Sequence, residues 1–259
     1  MDGELELQKG PGLHRTLFSK KSNVQIYREM VIGDRGTLAL VYYELVTLFF
    51  GWIPGALGLV TRKIFYKRLF KRVGQNVIFG RNLVLRQPHK VAIGNNVIID
   101  DDCLIDAKGV SNTGITIGSL VTIGRFSSLV CKNADIEIGD HVNIGTCVKI
   151  IVANQGKIRI GSGIDIGSGS HFSGGSYDYS EPDVLPSTHR LATKGIIVED
   201  LAWIGVGAIL LDGVCVGKRS IVGAGAVVTK DIPEDCIAFG VPAEVKRTRA
   251  ECPRMQWKS

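Results

Sequence analysis

The chain reads as an all-β solenoid, a parallel β-helix of hexapeptide repeats with a helical segment at its N-terminus. Ile, Leu or Val recurs every six residues between Val73 and Val228, as in Ile204-Gly205, Leu210, Val216-Gly217, Val222-Gly223 and Val228. A small or branched residue stands two positions before each of these: Ala202, Ala208, Val214, Ser220 and Ala226. A six-residue period fits neither a helix nor the plain alternation of a strand, so each unit is one short strand plus a turn. The large aliphatic residue points into the core and the small one packs beside it. Gly or Asn takes the bend where φ > 0 is needed. Three such faces close one coil.

The rest of the chain is assigned around that solenoid. Residues 1–72 form a helical, apolar and basic segment, 73–232 the β-helix with a long loop at 173–195, and 233–259 a C-terminal tail. Residues 1–30 are polar and mixed and carry little signal, and Met1 to Gln8 do not resemble a signal peptide. Residues 38–60 hold one charge, Glu44, and a basic cluster follows: Arg62, Lys63, Lys67, Arg68, Lys71 and Arg72. Two helices near 36–50 and 56–70, with a bend at Trp52-Ile53-Pro54-Gly55, fit this stretch. Three readings stay open for it: a cap over the first coil, a hairpin dipping into the membrane face, or a full span.

Within the solenoid, extra residues at Arg86–Lys90 and Lys108–Thr113 are short loops between units. The one long interruption, Ser173 to Gly195, is polar, and a loop of that length inside a regular solenoid is more often functional than accidental.

Composition narrows the function classes. Hydrophobic residues at 45% supply a core, and the formal charge of +6 fits plain solubility or an anionic partner. No basic stripe is interleaved with aromatics, which argues against nucleic acid. Six cysteines show no CxxC and no metal spacing with His, so reduced structural thiols in a cytosolic protein are expected, and no metal site. Cys103 fills a small-residue slot two before Ile105.

Trp203-Ile204-Gly205, the run Gly223-Ala224-Gly225-Ala226-Val227-Val228-Thr229-Lys230-Asp231-Ile232-Pro233, and Gly240-Val241-Pro242-Ala243 resemble the hexapeptide-repeat acyltransferases. That is the left-handed β-helix family of sugar and polysaccharide O-acetyltransferases, and the resemblance covers 73–247. It implies left-handed coiling, a homotrimer and acetyl-CoA held in a groove between neighbouring subunits. By match of motif, Trp203, Gly205, Ala224, Thr229, Lys230 and Arg247 would line that groove. Small residues and free backbone N–H groups at Gly205, Gly223 and Ala224 suit a thin pantetheine arm. Lys230 and Arg247 suit its phosphates, or are solvated surface charges.

Catalysis in the family rests on a His that takes the proton of the acceptor hydroxyl, which attacks the thioester directly. The matching residues here are Ser176-Tyr177-Asp178-Tyr179, with Tyr177 in the base position. A phenol titrates near pH ~10 and is a poor base at neutrality. His171, facing outward before Phe172, and His189, in the loop, are the substitutes, each with a plain surface imidazole as its alternative. Asp178 could orient an imidazole or bind a sugar hydroxyl, and Asp183 and Arg190 are substrate-contact candidates. His14, His89 and His141 read as structural or solvated, His141 at a turn.

The resemblance therefore implies an O-acetyltransferase acting on a sugar hydroxyl of a surface polysaccharide or lipid-linked precursor. It would be cytoplasmic, at the inner face of the membrane if residues 38–72 make a peripheral contact. The alternatives are an amino-sugar N-acyltransferase, a non-catalytic binding relative, or a zinc carbonic anhydrase on the same coil. The last needs three converging imidazoles, for which His141, His171 and His189 give no convincing spacing.

Overall fold

In a computed structural model, residues 21–178, 180 and 189–251 are described. His14, Tyr179, Asp183 and Cys252 lie outside them. Three parallel sheets run the length of the molecule, beginning at Arg72–Val73, Ile78–Phe79 and Val84–Arg86. The first and third sheets have seven strands each and the second has nine, which makes about seven coils. Strand n of each sheet pairs with the strand one coil later, so identical slots stack. In the second sheet Phe79, Ile99, Ile123, Ile144, Ile166, Ile204 and Val222 form one inward row, each at most 1% exposed. The small residues Ala202, Ala208, Val214, Ser220 and Ala226 are buried beside that core, as their slot requires.

One detail of the repeat differs from the sequence reading. The Gly that follows each aliphatic residue does not take the positive φ. That conformation falls two residues later, on Asn76, Asn96, Leu120, His141 and Leu201 at one corner. The Gly is needed for a different reason, the close approach of successive coils. A Cβ on Gly74, Gly94 or Gly118 would sit 2.4–2.5 Å from the next coil's carbonyl oxygen.

Three helices close the first coil: α1 (Asn23–Ile32), α2 (Thr37–Phe50) and α3 (Gly55–Phe65). The positions of α2 and α3 match the sequence reading, whereas α1 carried no periodic signal. A capping box starts α1: Gln25 N–H donates to Ser22 Oγ, and Ser22 N–H donates to the Gln25 side chain. Buried Gln87 ties α1 to the coil, donating from Nε2 to the Glu29 carbonyl (2.9 Å) and from its backbone to Val31 (2.7 Å). Phe70 stacks on Phe79, and Tyr66 packs against Phe79 at a tilt, over the open end of the core.

Arg62, counted above with the basic cluster, is not a surface cation, being only 2% exposed. Its guanidinium donates to the carbonyls of Phe79 (2.9 Å), Ile53 (2.7 Å) and Phe50 (3.1 Å), binding α2 and α3 to the first coil. Among the described residues no helix is long and apolar enough to cross a membrane. The 14 residues of α2 rise about 21 Å at 1.5 Å each, short of a hydrocarbon core of about 30 Å.

The hexapeptide signature ends at Val228, but the coil goes one rung further. Cys236–Phe239 adds a parallel strand to the second sheet, and Glu244–Thr248 folds back antiparallel against it.

Candidate active site

The corner between the second and third sheets changes character along the molecule. One turn position on it is occupied, coil by coil, by Asn82, Asp102, Phe126, Cys147, Gly169, Gly207 and Gly225, all with positive φ. Phe126 and Cys147 adopt this conformation, so the turn itself does not demand glycine. On the last three coils a Cβ at Gly169, Gly207 or Gly225 would meet nothing within 4 Å. The result is a strip without side chains, two coil spacings or about 10 Å long.

The strip also carries unpaired donors. In two of the earlier coils the residue before the turn gives its N–H to the next coil's side chain, Arg81 to Asp101 (2.9 Å) and Thr146 to Ser168 (3.1 Å), and in a third Asp101 N–H bonds to Asp100. Val206 and Ala224 offer no such oxygen. Among the described residues, the backbone N–H groups of Ser168, Val206 and Ala224 therefore have no protein acceptor. Of the three expected donors, only Ala224 is free. Gly205 N–H donates to the Val222 carbonyl and Gly223 N–H to the Ala238 carbonyl, both at 2.8 Å, because these residues continue the strand ladder. Gly205 is buried, and a Cβ on it would lie 2.5 Å from the Ala224 nitrogen.

Three of the sequence candidates lie beside the strip or along its flanking sheets. Trp203 stands on its second-sheet side, half-exposed, and pairs with Asp165 and Ile221. Arg247 lies three strands further along that sheet, opposite Ile237 and roughly 14 Å from Trp203 at strand spacing. His171 begins the third-sheet strand two residues past Gly169, between Lys149 and Ile209. Partial burial pushes its pKa below the ordinary value and the Lys149 ammonium pushes it the same way, so the ring is neutral at pH 7. Lys149 was not singled out from the sequence, although it fills the His171 slot one coil earlier.

The remaining candidates gather at the next corner, between the third and first sheets. The strand His171–Gly174 separates the two groups by about 10 Å. There Ser176–Tyr177 pairs antiparallel with Leu191–Ala192 and forms the neck of the long loop. The returning chain is held by Asp212, whose carboxylate accepts N–H groups of Lys194 (2.9 Å) and Gly195 (2.8 Å). Thr229 and Lys230 are exposed on the last coil of this corner. Tyr177 and Asp178 are exposed at the neck, and Asp178 N–H donates to the Arg190 carbonyl (2.8 Å). The Asp178 carboxyl titrates below its usual range, first through hydrogen bonds from Ser180 and then through the charges of His189 and Arg190. His189 thus lies close enough to feel Asp178. His141 is exposed at the corner between the first and second sheets, away from both groups.

No family model matches the chain. It is 32% identical over 154 residues to the galactoside O-acetyltransferase of Lactococcus lactis, covering 58% of this chain and 61% of that one. It is 29% identical over 176 residues to the dTDP-4-amino-4,6-dideoxy-D-glucose acyltransferase of Escherichia coli, covering 68% and 80%. Among solved structures, the N-acyltransferase AntD of Bacillus cereus, in complex with dTDP and 3-hydroxybutyryl-CoA, superposes with a TM-score of 0.51 at 24% identity. That match covers 72% of this chain and 87% of AntD. The chain spans less than two thirds of the length of the galactoside enzyme. Repeat, solenoid and relatives agree: the chain is similar to hexapeptide-repeat acyltransferases, and its fold is the parallel β-solenoid of such proteins.

Proposed function

We propose that the protein transfers an acetyl group from acetyl-CoA to a sugar hydroxyl in one step. The observation that carries this reading is the bare strip at Gly169, Gly207 and Gly225, with three free N–H groups and a neutral imidazole beside it. A pantetheine arm is thin and carries two amides. It fits a strip without side chains and pairs with donors the coil leaves unused. Trp203 supplies a flat apolar wall, and Arg247 and Lys230 are the cations for the phosphates.

His171 takes the proton of the acceptor hydroxyl as its oxygen attacks the thioester carbonyl. The C–S bond then breaks and the proton passes to the leaving thiolate. Asp178, His189 and Arg190 at the loop neck recognise the sugar. The two groups lie on different corners of one coil, which suits a homotrimer in which one subunit's strip faces another's loop neck. The thioester donor is a cytosolic metabolite, so the reaction belongs in the cytoplasm.

A second reading, acylation of an amino-sugar nitrogen, is favoured by the 80% coverage of the dTDP-aminosugar acyltransferase. A panel of hydroxyl and amino sugars with labelled acetyl-CoA separates the two. Ester products support the first reading, amides the second, and hydrolysis without any acceptor product rejects both.

A further inference from the structure

The outer faces of α2 and α3 are apolar, contiguous and uncovered. On α2 and the bend after it, Leu38, Val41, Leu45, Leu48 and Trp52 follow one another at intervals of three and four, a single stripe, all exposed. On α3, Leu57, Val60 and Ile64 continue the pattern, with Leu57 66% exposed. Ten of the 27 exposed large apolar side chains among the described residues fall between Leu38 and Ile64. The opposite face of the same helices is spent on the coil, where Tyr43 and Val46 are buried and the Tyr43 hydroxyl donates to the Leu85 carbonyl. Glu44, the one acid in α2, sits half-buried at the edge of the stripe, where its carboxylate accepts the Tyr27 hydroxyl of α1 (2.6 Å).

The surroundings of this face are cationic. Lys63, Lys67, Arg68, Lys71 and Arg72 are exposed along and just beyond α3, with no acid among residues 45–72. Beside the stripe opens a cavity of about 450 Å³ with Leu38, Tyr42 and Leu69 in its wall and Arg35, Arg68 and His89 around it. Among the described residues, Arg35 and Arg68 form no ion pair. An apolar wall beside two unpaired guanidiniums matches a molecule with a fatty chain and an anionic head.

We infer that α2 and α3 dock on an anionic phospholipid membrane, with the Arg35–Arg68 cleft taking a lipid phosphate. The helices lie in the interface rather than across it, since their length forbids spanning. The docking face is at the first-coil end, whereas the bare strip runs along the last three coils, so membrane contact leaves the strip accessible.

The test is flotation of the full-length protein with phosphatidylcholine vesicles, with and without phosphatidylglycerol. Binding is expected only with phosphatidylglycerol, falling as salt is raised. The double variant Leu48→Glu/Trp52→Glu should lose it at least tenfold. Arg35→Ala/Arg68→Ala should weaken it several-fold with the circular dichroism spectrum unchanged. Any of three results would overturn the inference: equal binding to neutral vesicles, no binding at all, or a fall in sedimentation mass of Leu48→Glu/Trp52→Glu without lipid. The latter would mean that the face joins copies of the chain. Unchanged binding by Arg35→Ala/Arg68→Ala would remove the cleft as a headgroup site. None of these readouts depends on acetyl transfer, so failure here leaves the proposed reaction standing, and the reverse.

Discussion

At the scale of single residues, the proposed chemistry turns on an imidazole and a glycine. His171 must be neutral to accept a proton. Its pKa is depressed by burial and by Lys149, so the acid limb of kcat/KM should fall below the ordinary histidine value of about 6.5. Lys149→Ala removes one of the two depressing influences, and the limb should move to higher pH. A limb that stays in place in the Lys149 variant would argue that another group titrates. Gly207 has φ +67 and open space around its missing side chain. Gly207→Val should cost about 1–2 kcal/mol for the left-handed backbone. It should also raise the acetyl-CoA KM at least tenfold, measured by steady-state kinetics, because the branched side chain fills the strip. Some of this was legible beforehand. The outward slot of His171 follows from the position of Phe172 in the hexapeptide register. The free donors do not follow so simply, because whether Val206 N–H is paired depends on whether Ala224, a coil away, carries an oxygen. Arg62 misled for a similar reason: in sequence it is one more charge in a basic run, and only three distant carbonyls make it a buried strut.

At the scale of elements, the coil demands one set of glycines and the site another. Gly205→Ala places a Cβ 2.5 Å from the Ala224 nitrogen. It should destabilise by about 1–3 kcal/mol through overpacking, lowering Tm by several degrees in a thermal melt. The loop neck depends on Asp212, which holds both Lys194 and Gly195. Asp212→Ala should raise the acceptor KM several-fold and leave the acetyl-CoA KM nearly unchanged. A matching rise for acetyl-CoA would mean that the neck serves the donor instead. The inner rows were readable because each coil repeats the same chemistry. The helix α1 was not, since its cap is one Ser22–Gln25 pair and its anchor, Gln87, lies 58 residues from Glu29. The final strands escaped for want of period: Cys236–Phe239 enters the sheet after the six-residue spacing has stopped.

At the scale of the whole molecule, one end of the solenoid is closed by helices and the other ends in the antiparallel edge strand Glu244–Thr248. The chemistry sits on the flanks between them. The division of candidate residues between two corners predicts assembly. Sedimentation should give three times the 28.0 kDa of one chain. Loop-neck and strip variants, each inactive alone, should regain activity when mixed and reassembled. A monomer with full activity would contradict that arrangement.

The most direct measurement is acetyl transfer to sugars by wild type, His171→Ala and His189→Ala, with acetyl-CoA binding measured on each. His171→Ala should bind acetyl-CoA as wild type does but transfer on the order of 10²–10⁴-fold more slowly, while His189→Ala should chiefly raise the acceptor KM. Full transfer by His171→Ala, with loss confined to His189→Ala, would contradict the proposed chemistry and move the base to the loop beside Asp178.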